Sequence, residues 1–169
     1  MKRLSDEIVE LLNFRIKAEL ESSYLYEAMA NCLDLKGFKY GAKLWRKDAS
    51  DERTHASWTI EYMLGMDIKP IIPTIDAPKK QEWLDLLELI NETVIHEDLV
   101  TKQCNELAKT SLLESDLITH QFVASKYLAE QIEELEKVLE RQKYIQMFDV
   151  VNNGASRAAI EEYFKDQLG

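Results

Sequence analysis

The chain has 169 residues, of which 46% are hydrophobic, and this is typical of one globular domain over residues 1–169. Its formal net charge of −10 argues against nucleic acid or an anionic membrane surface as a partner and favours cations. No run of residues approaches membrane-spanning length and no secretory signal follows Lys2 and Arg3, so we expect a cytoplasmic protein. Cys32 and Cys104 lack metal-ligand or redox spacing and are predicted to be buried thiols in a reducing compartment.

Helix-breaking residues are concentrated at a few positions along the chain. All three prolines lie between residues 70 and 78, and Gly37, Gly65 and Gly154 fall where helical patterns end. These positions predict helices at roughly 5–34, 38–64, 80–113, 116–144 and 155–167. Ser5 and Asp116 are predicted N-caps. The predicted fold is therefore all-α, with a four-helix bundle over about 5–144 and a short fifth helix at the C-terminus.

The lengths of the connections predict how the helices are arranged. Short links near Gly37 and Ser115 make two antiparallel pairs of long helices. The link over about 65–80 is longer, and some 15 extended residues reach roughly 50 Å, whereas a 28-residue helix is about 42 Å long. This crossover spans the bundle, and the helices run up, down, down, up. Its four isoleucines predict that it docks on a surface, and the fifth helix is expected to pack on the bundle or on a neighbouring chain.

Polar side chains interrupt the apolar stripe of every long helix near its middle. They are Glu19 on the first helix, Glu52 and His55 on the second, Glu97 on the third, and Glu130, Gln131 and Glu134 on the fourth. Because mid-helix positions meet at one level in a bundle, we expect these groups to lie together.

Buried carboxylates must be paired with positive charge or bind a metal. We find no Lys or Arg on these stripes at the same level, since Arg53 follows Glu52 by one position and points elsewhere. One or two divalent cations would supply the missing charge. Several carboxylates with a single imidazole suit iron or manganese better than a structural zinc ion.

Four sequence runs, in order, resemble those of the ferritin family. They are the residues 18–26, 51–55, 96–97 and 130–134, which read AELESSYLY, DERTH, HE and EQIEE. The resemblance covers essentially the whole chain and is closest to the non-haem bacterial ferritins. It implies that Glu19, Glu52 and His55 hold a first iron, and that Glu52 bridges to a second iron held by Glu97 and Glu134.

The resemblance also implies roles for residues around this di-iron centre. Gln131 matches a glutamine beside the centre, and Tyr26 matches a nearby tyrosine whose implied role is electron transfer. Glu130 and Glu133 match ligands of a weaker third iron site. Its fourth ligand is usually glutamate in the family and is Asp51 here, one methylene shorter, so the third site is the least supported.

By resemblance, the protein is expected to oxidise Fe²⁺ with O₂ or peroxide and to store it as ferric oxyhydroxide in a homo-oligomeric cage of 24 subunits. Haem is not expected, because Arg53 stands where haem-binding relatives carry a methionine ligand, and Gln131 and Glu134 stand where they carry a second Glu-x-x-His. Two alternatives stay open: a di-iron oxidoreductase that stores no iron, and a metal-free helical interaction protein.

Overall fold

A computed structural model describes residues 4–148 and 154–169 of the chain. Four long helices are followed by a short one, and no strand occurs in these two ranges. The bounds are α1 Asp6–Leu35, α2 Lys39–Gly65, α3 Leu86–Leu113, α4 in three consecutive segments (Leu117–Val123, a π-helical turn Ala124–Leu128, and Ala129–Gln146), and α5 Gly154–Gln167. The predicted all-α architecture is confirmed.

Both predicted N-caps are present. The Ser5 hydroxyl accepts a hydrogen bond from the Ile8 amide at 3.1 Å, and the Asp116 carboxylate accepts one from the Thr119 amide at 3.0 Å. Each cap satisfies an amide that has no carbonyl partner within its own helix. The polar residues that precede the apolar stripes therefore fix where α1 and α4 begin.

The predicted start of the third helix is wrong. The helix begins at Leu86 rather than near residue 80, because the Asp85 carboxylate caps it. The preceding segment runs back along the first turns of α3, and the Trp83 indole donates a hydrogen bond to Glu92 at 2.9 Å. Trp83 is also buried in the core. In a helical continuation of α3, Trp83 and Glu92 would lie about 13 Å apart along the axis and this hydrogen bond could not form.

Two apolar clusters form the core and define the helix directions. The first cluster includes Met29, Leu33, Phe38, Trp45, Leu89, Ile90, Ile145 and Phe164. The second includes Ile8, Leu12, Ile16, Ala56, Met63, Val100, Leu107, Val123 and Tyr127. Helices α2 and α3 both run from the first cluster to the second, whereas α1 and α4 run from the second to the first. The order up, down, down, up is therefore confirmed.

The crossover between α2 and α3 joins the two ends of the bundle. Ile68 packs on the second cluster, and Trp83 lies in the first. Midway, the Ile71 amide donates a hydrogen bond to the Asn13 side chain at 2.7 Å. The side chains of Ile71 and Ile72 are 64% and 73% exposed, so the predicted docking of all four isoleucines does not occur within one chain.

The short helix α5 packs on the start of α2 in the same chain. Phe38 at the N-cap of α2 has no side-chain cap, and the Glu161 carboxylate instead accepts hydrogen bonds from the amides of Tyr40 and Gly41 at 2.8 and 3.1 Å. Phe164 lies so close that a Cβ atom at Gly41 would be 3.0 Å from its ring. A carboxylate at a helix N-terminus is favourable, and this contact fixes α5 against the bundle.

No helix in the described part of the chain is both long enough and apolar enough to cross a membrane. Cys32 and Cys104 are buried free thiols, as predicted.

Candidate metal centre

A layer of polar side chains lies between the two apolar clusters, half-way along the bundle. Seven of the predicted site residues are buried in it: Glu19, Tyr26, Glu52, His55, Glu97, Gln131 and Glu134. They come from all four long helices, and each replaces an apolar residue on its stripe. The packing of the two clusters therefore fixes the height at which these groups meet.

Glu19, Glu52 and His55 form a compact group of metal-binding atoms. One ligand atom from each lies within 4.8 Å of the others, and no second such group of His, Cys, Asp or Glu occurs in residues 4–148 and 154–169. The Nδ1 atom of His55 is 3.2 Å from Glu52 Oε2 and 3.8 Å from Glu19 Oε2. Three buried ligand atoms this close to one another could hold one divalent cation.

His55 is held by aromatic residues that sequence patterns did not single out. The Tyr127 hydroxyl donates a hydrogen bond to the main-chain carbonyl of His55 at 2.6 Å, and it also contacts the Thr59 hydroxyl at 2.6 Å. The Trp58 ring lies against the imidazole, with 4.4 Å between ring centroids. The Tyr127 hydrogen bond fixes the main chain at His55, and the Trp58 contact limits the orientations of its imidazole.

Glu97 lies on the other side of the layer and is held by two donors. The Tyr26 hydroxyl donates to its Oε1 atom, and the Gln131 amide donates to its Oε2 atom at 3.3 Å. Thr101 in turn donates to the Gln131 carbonyl oxygen at 2.7 Å, which fixes the direction of the amide. Glu134, the fifth predicted carboxylate or imidazole ligand, pairs with Lys137 at 2.7 Å.

The three residues predicted for a weaker third site are spread out. Glu130 Oε1 lies 3.8 Å from His55 Nε2, at the edge of the layer. Asp51 pairs with Lys47 at 3.3 Å, and Glu133 is exposed. Only Glu130 of this set approaches the buried group, and the third site stays a prediction.

The expectation that no basic residue shares the level of the carboxylates is wrong. Arg15 is 1% exposed, and its Nε atom is 2.7 Å from Glu19 Oε1. The contact is an ion pair, and neither Arg15 Nε nor Glu19 Oε1 has a hydrogen-bond partner. Arg15 precedes Glu19 by one helical turn on the same face, and that i, i+4 spacing is the signal by which it could have been found. Arg53 is exposed, as expected; it donates a hydrogen bond to Ser23 at 2.7 Å and lies 3.6 Å from Glu27.

The electrostatics of the layer raise the pKa values of three of its carboxylates and lower that of the fourth. Burial and the nearby charge of Glu19 raise the pKa of Glu52 well above its ordinary value. Burial raises the pKa of Glu97 to about 7, although the hydrogen bond from Tyr26 acts in the opposite direction. Burial also raises the pKa of Glu134. For Glu19, burial acts upward, but Arg15 and His55 lower the pKa to about 2. Cation binding must displace the protons from Glu52 and Glu97.

The residues present fit iron. Oε2 of Glu19 is buried without a hydrogen-bond partner on the side of His55, so it is available to an ion. Carboxylate oxygens with one imidazole are ligands that iron and manganese accept. A four-helix bundle with a long crossover and such a buried group defines the class of ferritin-like metal-binding bundles.

Comparisons with known proteins agree with this class. The ferritin-like domain family model matches residues 9–148. The bacterial non-haem ferritin of Escherichia coli O157:H7 is 35% identical over 131 residues, which are 78% of each chain. That of Campylobacter jejuni is 33% identical over 132 residues, covering 78% of this chain and 77% of the relative. The open-pore ferritin of Archaeoglobus fulgidus superposes with a TM-score of 0.90 at 27% identity, covering 95% of this chain and 97% of that one. The chain therefore belongs to the ferritin family, and its function is iron storage with ferroxidase activity.

Proposed function

We propose that the protein oxidises Fe²⁺ at a di-iron centre in the polar layer of each bundle. Glu19, Glu52 and His55 hold the first iron, and Glu97 and Glu134 hold the second, with Glu52 as the bridge. The observation that carries the proposal is the buried group of Glu19, Glu52 and His55, whose ligand atoms lie within 4.8 Å of one another. Glu97 and Glu134 lie close enough to Glu52 for their charges to contribute to its raised pKa, and this supports a second iron position beside the first.

The reaction balances with two Fe²⁺ ions and one O₂ molecule. Each iron gives one electron, and two protons complete hydrogen peroxide as the reduced product; where peroxide is the oxidant, it is reduced to water. Hard carboxylate oxygens stabilise Fe³⁺ over Fe²⁺ and favour this direction. Protons that Glu52 and Glu97 lose when the metal binds are released to solvent, and the two protons of the reduced oxygen come from solvent water.

Tyr26 and Gln131 complete the centre through Glu97. Both donate hydrogen bonds to its carboxylate, so we propose that they hold it in place for the second iron. Tyr26 also lies at the centre with its hydroxyl on a ligand oxygen, which suits the electron-transfer role implied by the family resemblance. Glu130, near His55, is proposed as the first step of a path along which Fe³⁺ leaves, with Glu133 and Asp51 further out.

Storage requires an enclosed space, which we propose is a homo-oligomeric cage of 24 subunits in the cytoplasm. Large apolar side chains that stay exposed on one chain support self-association. Those at the crossover and at the ends of helices are Leu35, Ile71, Ile72, Leu112, Leu113, Leu117 and Ile118. The net charge of −10 suits a compartment that gathers iron cations.

The first test measures Fe²⁺ oxidation by absorbance after mixing with aerated buffer. Glu52→Ala and His55→Ala are expected to lose most of the fast phase, because each removes a ligand of the first iron. Glu61→Ala is the matched control, since Glu61 is an exposed glutamate on the same helix. Fast oxidation retained in Glu52→Ala and His55→Ala would refute the assignment of the first position.

A second measurement separates storage from other di-iron chemistry. After aerobic loading and gel filtration, the iron retained per chain is counted. Retention far above the roughly two ions that a di-iron centre holds indicates a mineral in a cage. A plateau near that value would instead indicate a di-iron oxidoreductase. Membership of the ferritin family leaves the metal-free interaction protein without support.

A further inference from the structure

Arg15 is a permanent positive charge enclosed beside the proposed first iron position. Its Nη1 atom donates a hydrogen bond to Gln103 Oε1 at 3.1 Å and contacts Cys104 Sγ at 3.5 Å. The guanidinium also lies 5.8 Å from the centroid of the Tyr127 ring. A buried guanidinium is costly unless its surroundings compensate it. These contacts and the ion pair with Glu19 do so in part, because Nη2 of Arg15 is buried without a hydrogen-bond partner. They give Arg15 a defined place beside Glu19.

The two carboxylate oxygens of Glu19 face different partners. Oε1 lies 2.7 Å from Arg15 Nε, whereas Oε2 lies 3.8 Å from Nδ1 of His55, on the side of the metal ligands. Oε2 is buried and has no hydrogen-bond partner. A cation placed among Glu19, Glu52 and His55 meets Oε2 first. Coordination by both oxygens would require Oε1 to leave Arg15.

We propose that Arg15 is a positioning residue that holds Oε1 of Glu19, so that Glu19 binds the first cation through Oε2 alone and with reduced affinity. This inference rests on the proposed iron site. Two effects act in the same direction: one carboxylate oxygen is withheld from the metal, and a fixed positive charge stands close to a divalent cation. Reduced affinity suits a position from which iron must move on to a store.

Binding of Co²⁺ under argon tests the inference without iron oxidation. Co²⁺ is titrated into the protein, and its d–d absorption is recorded. The part of this absorption that is missing in His55→Ala belongs to the first iron position and gives the affinity of that position for Co²⁺. Arg15→Gln is expected to bind Co²⁺ at this position at least about tenfold more tightly than the parent protein, because Oε1 of Glu19 becomes free to bind and a nearby positive charge is removed. Arg15→Lys keeps the charge and is expected to restore an affinity close to that of the parent.

Two controls show how Arg15 acts. Arg141→Gln removes another buried arginine, paired with Asp48 at 2.5 Å, and is expected to leave the first position unchanged. In a Glu19→Gln background, Arg15→Gln is expected to have much less effect, because the oxygen that Arg15 holds is no longer a charged ligand. An undiminished effect in that background would mean plain repulsion and would overturn the positioning role.

The parent protein gives an independent measurement if Arg15→Gln does not fold. Infrared spectra of the Co²⁺-loaded parent are expected to show a single-oxygen carboxylate signature that disappears in Glu19→Gln. A two-oxygen signature assigned to Glu19 in this way overturns the inference, as does an unchanged affinity in folded Arg15→Gln. If the parent binds no Co²⁺ that depends on His55, the proposed iron site itself fails, whatever Arg15 does.

Discussion

Tyr26→Phe changes the proton balance of the metal centre without removing a ligand. The Tyr26 hydroxyl donates a hydrogen bond to Glu97, and this bond favours the ionised carboxylate. A hydrogen bond to a charged group contributes about 1.5–3 kcal/mol, so its loss should raise the pKa of Glu97 by about 1–2 units. The pKa is about 7 in the parent protein. In the variant it is expected near 8.5, about 1.5 units higher.

The expected difference can be counted in protons. At pH 7.5 a carboxyl group with a pKa of about 7 is roughly one-quarter protonated, and one with a pKa near 8.5 is about nine-tenths protonated. Because the metal binds the ionised carboxylate, saturating the site with Zn²⁺ should release about 0.7 more protons per chain from Tyr26→Phe than from the parent. Zinc is used because it is not oxidised and adds no protons from iron chemistry.

Calorimetric titration with Zn²⁺ in two buffers of different ionisation enthalpy measures the proton release. Tyr24→Phe is the matched control, since Tyr24 is a half-exposed tyrosine two positions away and therefore on another face of the helix. It should release as many protons as the parent. If Tyr26→Phe also released the parent's number while binding the same amount of zinc, the hydrogen bond would not govern the pKa of Glu97 and the reasoning would be refuted.

Three further predictions concern stability. Gly41→Ala should lower the free energy of unfolding by about 1 kcal/mol and the thermal midpoint with it, because the buried Phe164 ring would have to move away from a Cβ atom at 3.0 Å. A higher midpoint in calorimetry would show that the better helix propensity of alanine outweighs this clash. Asp48→Asn should cost about 3 kcal/mol or more by leaving the buried guanidinium of Arg141 without its counter-ion, and a midpoint within a degree of the parent's would contradict this. In the metal-free protein the pKa of Glu97 is raised from 4.5 to about 7, so its neutral form stabilises the fold at acid pH, and about 3 kcal/mol is lost as the pH rises from below 4.5 to above 7. Unfolding curves at pH 5.5 and 8 should show about 2 kcal/mol of this loss in the parent and a smaller loss in Glu97→Gln.

The ligand layer could be predicted from the sequence because each of its members breaks an apolar stripe. A carboxylate on an apolar stripe is easily recognised. Residues in the middle of the helices of a bundle lie at one level whatever the conformation of the loops, so the loops need not be predicted. Arg15 escaped the same reasoning. Arginine is normally exposed, and its long side chain reaches a full helical turn to Glu19, so its burial depends on space left by Gln103 and Cys104 on a different helix.

The start of α3 shows a second limit of sequence patterns. The run around Trp83 is compatible with a helix locally, but burial of the indole in the first cluster and its hydrogen bond to Glu92 favour the extended form. Both are tertiary contacts. Long-range packing outweighed local preference at this position, whereas at Ser5 and Asp116 local capping sufficed and the prediction was confirmed.

The π-helical turn Ala124–Leu128 makes the ligand set of α4 depend on a count of residues. A π turn holds one residue more than a regular helical turn in the same place. If the same residues formed a regular α-helix instead, everything after the turn would be rotated by about 100°. Glu130 and Glu133 would then occupy the places of Gln131 and Glu134. A single in-frame codon deletion within this turn would thus convert it to a regular helical turn and keep Gln131 and Glu134 at the centre, whereas the same deletion in the α-helical segment before the turn would rotate them away from it.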